Sequence, residues 1–446
     1  MKTIMWSAIA LAISANQIQC ASAAAYVTDQ AESKGFIDDS KLDLLMRSYY
    51  FNRNKKDGAV DDKDWTGAVQ GVYSSGFTQG TVGFGIDAFG YMGLKFDGQD
   101  KYAGSGNLTT TTNSLGQIDG NHDSYGKSGA ALKIRVSKTE LKIGDMQPST
   151  SPVFAVGGTR LTPQTASGIN LMTSEIKGLD LEAGHFYSST SQDQTNRDGE
   201  LWATYAGVSA KSIDFVGGRY AVTDRLTTSL YASKLEDIWD QYYTNVNYEI
   251  PISKFQSLNV DFNYYHTADE GRANAGAIDN NTYSLSAAYS FMSAHRLTLS
   301  FQKVNGDTPF DYIGVGDNNR GGNSMFLANS IQYSDFNGPG EKSWQARYDL
   351  NMASYGVPGL SFMTRYANGF DIDGSHTPAN SPYTGEYGAN DKHHETNLEA
   401  KYVVQAGPAK NLSVRLRQAW HRSTSTQIDG DADEFRVIID YPLSIL

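Results

Sequence analysis

The stretch Asn411–Arg422, NLSVRLRQAWHR, decides the fold. Leu412, Val414, Leu416 and Trp420 share one parity, while Ser413, Arg415, Arg417, Ala419 and His421 share the other. Successive side chains of a β-strand point to opposite faces, so the segment has an apolar face and a cationic face. Wound as a helix, it would scatter the arginines around the axis among the apolar residues. Phe435–Tyr441 repeats the pattern, with Phe435, Val437, Ile439 and Tyr441 against Arg436, Ile438 and Asp440. A soluble sheet would need a core for every such apolar face. A closed barrel with lipid outside and water inside satisfies both faces at once. Arg415, Arg417 and Arg436 then line a pore.

The same alternation extends outward along the chain. In LDLLMRSYYFNR, Leu42, Leu44, Met46 and Tyr50 oppose Asp43, Arg47, Tyr49 and Arg53. Gly71–Phe96 reads as a hairpin, and Ala131–Asp145 alternates again. Gly83, Gly85, Gly90 and Gly93 are followed by no Lys-Ser/Thr and no helix, so they read as barrel bends rather than a phosphate loop. Further strand candidates are Leu201–Val208, Ser212–Tyr220, Ser229–Glu236, Tyr242–Glu249, Leu258–Tyr265, Thr282–Phe291 and Arg296–Val304, then Ser343–Asn351, Leu360–Tyr366 and Thr396–Gln405. Trp202, Trp239, Tyr242, Tyr243 and Tyr289 fit aromatic girdles at the bilayer interfaces; core aromatics of a sandwich are the alternative. Strands of about ten residues plus turns give roughly 16 to 18 strands.

Composition agrees with an all-β transmembrane antiparallel barrel. The 446 residues include 44 Gly, 27 Tyr and 19 Phe, and beyond the leader no apolar run reaches the ~18 residues of a spanning helix. A formal charge of −12 does not favour nucleic acid as a partner. Residues 1–23 read as an export signal: Lys2, the apolar core Ile4–Ile13, and the cleavage pattern Ala21-Ser22-Ala23. Cys20, the only cysteine, falls in that leader. The remainder, 24–446, is expected to be one barrel without disulfides or thiol chemistry, and no cofactor is implied.

Two long stretches break the alternation. Met146–Asn170 holds three prolines, paired glycines, Arg160 and the apolar residues Val153, Phe154, Ala155, Val156 and Leu161. It reads as a loop folded inward to narrow the pore, with an extracellular flap as the alternative. Pro309–Lys342 is the second irregular stretch. The acidic turn Asp429–Glu434, DGDADE, lacks the spacing of an EF-hand, so it reads as a solvated loop and no metal site is expected.

Several long segments resemble the OprD family of Gram-negative outer-membrane channels. They are FIDDSKLDLLMRSYYFNR, SSGFTQGTVGFGIDAFGYMGLK, GLDLEAGHF, QYSDFNGPGEKSWQARYDLN, ASYGVPGL, KHHETNLEAKYVVQAGPAK and the ending DYPLSIL. The resemblance implies a barrel of 18 strands with inward loops, a narrow eyelet and a basic ladder along one wall. It implies location in the bacterial outer membrane and uptake of basic amino acids and short peptides, with carbapenems as a further cargo. By position the ladder is Arg53, Lys63, Arg160, Arg415, Arg417 and Arg436, with Lys63 standing where the family pattern has arginine. The eyelet is Tyr205, Ser330, Tyr333 and Asp335, and Asn323 stands where an acid is expected. Lipid and small solutes are the expected partners, in a monomer or weak trimer. Other small carboxylates are an alternative cargo.

The resemblance also implies a serine-peptidase triad, here His185, Asp237 and Ser324, which is the rival reading from a different class. No Gly-x-Ser-x-Gly turn surrounds Ser324, so the expectation is a channel and not an enzyme.

Overall fold

The computed structural model describes residues 25–446, and the expected leader lies outside them. Eighteen strands form one antiparallel sheet. They are β1 (Lys41–Lys55), β2 (Asp62–Ser74), β3 (Val82–Asp97), β4 (Ser124–Val136), β5 (Thr139–Met146) and β6 (Thr165–Thr173). Next come β7 (Leu179–Thr190), β8 (Ile213–Ala221), β9 (Leu226–Leu235), β10 (Trp239–Ser253), β11 (Gln256–Asp269) and β12 (Asp279–Phe291). The last are β13 (His295–Asn305), β14 (Lys342–Asn351), β15 (Leu360–Asp373), β16 (Ala389–Val403), β17 (Ser413–Ser423) and β18 (Ala432–Ser444). Each strand pairs with its neighbour in sequence, and β18 pairs back onto β1 from Asp43↔Ser444 to Lys55↔Ala432. Closure leaves no sheet edge with unpaired backbone groups, which a bilayer would not tolerate.

The parity of the sequence becomes the inside and outside of this barrel. Met46, Val69, Phe84, Leu132, Leu230, Leu299, Trp344, Leu398, Leu416 and Trp420 are exposed on the outer wall. Their inward neighbours are polar and buried: Gln70, Asn263, Gln302, Gln345, Arg365, Asn397, Arg417 and Arg436. Connections at the end where β1 begins and β18 ends are short, such as 137–138 and 254–255, whereas those at the other end include 98–123, 147–164, 191–212 and 306–341. In outer-membrane barrels the short turns face the periplasm and the long loops face outward.

Three of the long loops fold into the barrel. Val153, Phe154 and Val156 of loop 147–164, Leu201 and Ala203 of loop 191–212, and Phe310, Ile313 and Leu327 of loop 306–341 share one buried apolar cluster with Phe186, Phe215, Tyr243 and Tyr265 of the wall. Phe154 lies 4.7 Å from Phe186, ring to ring. Leu201–Val208 is therefore not a membrane strand. Leu201–Ala203 pairs instead with Val208–Ala210 and Ile313–Val315 in a small sheet inside the lumen.

Other sequence expectations are revised in the same way. Ala131–Asp145 is two strands, because Ser137 takes a positive φ of 50° and turns the chain. Trp239 and Tyr243 are buried on the inner face of β10 and brace the lumenal core, and Trp202 lies in the small lumenal sheet; Tyr242 is exposed outward, and half-buried Tyr289 shares the outward parity of exposed Leu285. Gly83 and Gly93 make room for filling from within rather than bends. A Cβ at Gly83 would stand 2.3 Å from the Gln30 amide, and one at Gly93 the same distance from the Tyr125 ring.

Candidate functional site

The apolar cluster of the loops packs against β6–β11, and the wall formed by β14–β18 and β1 is lined with charge. Cross-strand register places Arg436 opposite Phe51 and opposite Arg417, and Arg415 stands two residues further along β17. The Phe51 ring gathers three guanidinium groups, with Arg160, Arg53 and Arg436 at 5.0, 5.3 and 5.5 Å from its centroid. Arg160 comes from loop 147–164, and its Nε donates to the Ser105 carbonyl at 3.0 Å. Five of the six expected ladder residues thus share one lumenal face.

Lys63 is the exception. It pairs with Asn52 on the outward parity and is exposed like Trp65 and Val69, whereas Asp62 and Asp64 point inward. A one-residue difference in register exchanges the faces of a strand, and here it puts the ammonium outside the pore.

The wall also carries carboxylates between its arginines. Glu434 lies 2.7 Å from Arg53 and 2.5 Å from Arg436. Glu399 lies 3.1 Å from Arg417 and 3.5 Å from Arg415, and Asp440 lies 2.7 Å from Arg47. These pairs hold the guanidinium groups in place and moderate the positive potential. Arg365, also buried and inward, donates to Asn397 Oδ1 at 2.8 Å. Arg47, Arg365, Glu399 and Glu434 were all readable as inward by parity.

Opposite this wall, loop 306–341 presents Asp335. Its carboxylate accepts hydrogen bonds from Ser330 Oγ at 2.6 Å and from the Tyr205 and Tyr312 hydroxyls at 3.0 Å each. Burial pushes the Asp335 carboxyl above its ordinary range, the Ser330 hydrogen bond opposes that, and the nearby Asp429 charge adds to it. Tyr333 of the same loop lies on the charged wall, its ring 4.9 Å from the Arg53 guanidinium, its backbone N–H donating to Glu395 Oε1 at 3.1 Å. Asn323 marks the joint of two loops, its backbone N–H donating to the Ala155 carbonyl at 2.9 Å. Tyr312 completes the Asp335 cluster and had no distinguishing sequence signal.

Loop 306–341 is anchored from the wall and in turn holds loop 191–212. Gln302 on β13 donates to the Phe336 carbonyl at 2.8 Å and accepts from the Asn329 N–H at 2.9 Å. Asp311 accepts from the backbone N–H groups of Tyr205 and Ala206, which ties loop 191–212 to loop 306–341. Burial pushes the Asp311 carboxyl up to about 6.

The triad reading fails on geometry. His185 is on the outward face of β7 and pairs with Asp214 at 2.8 Å. Asp237 is held by Arg272 at 2.8 Å, and Ser324 is buried inside the lumen with no partner for Oγ among the described residues. A nucleophile needs its base within hydrogen-bond reach, and here the barrel wall separates them.

A lipid-facing closed barrel with a charged, loop-narrowed lumen is an outer-membrane channel. The chain matches the family described as outer membrane porin, OprD family, over residues 34–445, and it belongs to that family. It is 61% identical to Porin D of Pseudomonas aeruginosa, with all of both chains covered. Its fold matches a crystal structure of Pseudomonas aeruginosa OprD with a TM-score of 0.83 at 59% identity, covering 95% of this chain and 100% of that one. The structure of Pseudomonas aeruginosa OpdK with vanillate matches with a TM-score of 0.80 at 32% identity, covering 92% of this chain and 100% of that one. The protein is a porin of the outer membrane and not an enzyme.

Proposed function

We propose that this porin takes up basic amino acids and small carboxylate-bearing peptides by facilitated diffusion, with carbapenems as a further cargo. The observation that carries the reading is the pairing of two unlike walls across one constriction. Arg53, Arg160, Arg415, Arg417 and Arg436 face Asp335, Tyr205 and Ser330, and Tyr333, two residues before Asp335, touches Arg53. A guanidinium accepts a carboxylate through paired, charge-assisted hydrogen bonds, and a carboxylate with tyrosine faces suits an ammonium or guanidinium end. The intrawall acids keep each contact weak enough to release, as flux requires.

The test is single-channel current in planar bilayers with arginine added to one side. Arginine should block the current transiently, and a neutral amino acid of similar size should not. Equal effects would set the basic-substrate reading aside.

Other small carboxylates are the second reading, favoured by the OpdK structure with vanillate and by an arginine wall that addresses the carboxylate alone. We further propose that residues 1–23 are the export leader and 24–446 the barrel. Because one chain closes its own barrel, each chain forms a pore whether the protein is a monomer or a weak trimer.

A further inference from the structure

Beneath the eyelet loop lies a buried pair of imidazoles that no part of the transport reading uses. His393 of β16 and His421 of β17 point into the lumen, with His393 Nδ1 2.9 Å from His421 Nε2. The outer nitrogen of each ring has a fixed role. His421 Nδ1 lies 3.0 Å from the Gly430 carbonyl, which can only accept, so that nitrogen carries hydrogen. His393 Nε2 lies 2.8 Å from Glu341 Oε1, a carboxylate that likewise accepts. In the neutral tautomers so defined, the two facing nitrogens present lone pairs to one another. A cation between them removes that repulsion, and it is either an added proton or a metal ion.

The surroundings favour a metal ion. The Asp429 carboxylate supplies a third donor, and the ligand atoms of His393, His421 and Asp429 all lie within 4.8 Å of one another. Gln427, 5% exposed, is beside them with Nε2 3.2 Å from His393 Nδ1, and its Oε1 is buried without a partner among the described residues. Hydrogen bonding of each imidazole's second nitrogen to a carboxylate or backbone carbonyl is the usual outer support of metal-binding histidines. Two imidazole nitrogens and one carboxylate oxygen suit zinc, nickel or copper, whereas calcium and magnesium take oxygen ligands.

We propose that His393 Nδ1, His421 Nε2 and Asp429 bind one divalent transition-metal ion, which pins the eyelet loop to the barrel wall. The loop rests directly on this cluster. Ser334 Oγ donates to Asp429 at 2.5 Å, the Tyr333 ring is 4.9 Å from His421, and the Phe336 ring is 4.2 Å from His393. Asp335 stands between these residues in sequence, so the ion would fix the piece of chain that carries the eyelet acid. The binding itself does not depend on which solute the pore passes.

The experiment uses the full-length barrel in detergent, without a polyhistidine tag, stripped with chelator and titrated with Co²⁺. The expected result is one equivalent bound with visible ligand-field absorption that Zn²⁺ bleaches, and loss of that signal in His421→Gln. Retention of the compact, unboiled gel mobility establishes that the variant is folded. If His421→Gln does not fold, Asp429→Asn in the 424–431 loop is read instead, with an expected loss of at least about tenfold in affinity, as for removal of one ligand or its support. Absence of one-equivalent binding in the wild type, or equal binding in the folded variant, overturns the site and leaves a shared proton. In bilayers, Zn²⁺ should quieten wild-type current fluctuations. No change there overturns the pinning of the loop.

Discussion

The Arg53 guanidinium lies 4.9 Å from the Tyr333 ring centroid, and that contact joins the basic wall to the loop carrying Asp335. Arg53 is simultaneously held by Glu434 at 2.7 Å, so its position is set from the barrel side and Tyr333 closes onto it. A solute crossing here passes guanidinium groups on one side and an acid with hydroxyls on the other. The gap between them is governed by how firmly loops 147–164 and 306–341 are held.

The inward loop therefore controls conductance. Trimming residues 149–158 removes Phe154 and its contacts with Phe186 and Phe215. Single-channel conductance should rise and selectivity should fall. Phe154→Ala alone costs about 3 to 5 kcal/mol of packing by analogy with buried aromatic truncations, so it should give a noisier open level. Conductance unchanged by the trimming would mean the loop does not narrow the pore.

Position along a strand separates Lys63 from Arg436, although both are basic. Lys63→Gln on the outward face should leave uptake of lysine or arginine within about twofold, since its charge is separated from the lumen by the wall. Arg436→Gln should lower that uptake about tenfold at low substrate, the effect of losing at least ~1.4 kcal/mol of attraction. Proteoliposome uptake of labelled substrate distinguishes them, and equal deficits would refute the assignment of faces.

Asp335 gives the pore a pH response. Its carboxyl is held above the ordinary range by burial, so on acidification it loses its charge at a higher pH than an exposed aspartate, near 3.9. Preference for cationic over neutral amino acids should decline as pH falls through that raised pKa. Asp335→Asn should have low preference at every pH. Reversal-potential measurements across a pH series check this, and a wild-type preference constant down to pH ~3.9 would contradict it.

Ser324→Ala should leave transport unchanged and stability unchanged or slightly higher, because it removes a buried hydroxyl with no partner among the described residues. A conductance trace and the boiling temperature of the gel shift measure both. A loss of transport would give Ser324 a role that its surroundings do not indicate.

The barrel was legible because parity carries it: Leu416 out and Arg417 in is a statement about single residues. The lumenal filling was not, because its residues follow no period. Tyr205 and Tyr312 meet at Asp335 across more than one hundred residues of chain, and Leu201–Ala203 looks like a strand because it is one, only inside the pore. Lys63 was misplaced because matching a basic position conveys charge but not face. Glu399 and Glu434 needed only the parity already applied to their arginine neighbours.

The most direct measurement of the central claim is uptake through the Arg415→Gln/Arg417→Gln double variant, comparing lysine with an alkyl diamine that lacks a carboxylate. Each charge near 4 Å from a carboxylate is worth about 1 to 4 kcal/mol, depending on how wet the site is. The low-dielectric wall concentrates that field in the lumen. Lysine uptake at low substrate should therefore fall by about tenfold or more, with the deficit shrinking as salt rises, and diamine uptake should be unchanged or increased. An equal fall for both solutes would show that these arginines hold the barrel's shape and do not guide carboxylates.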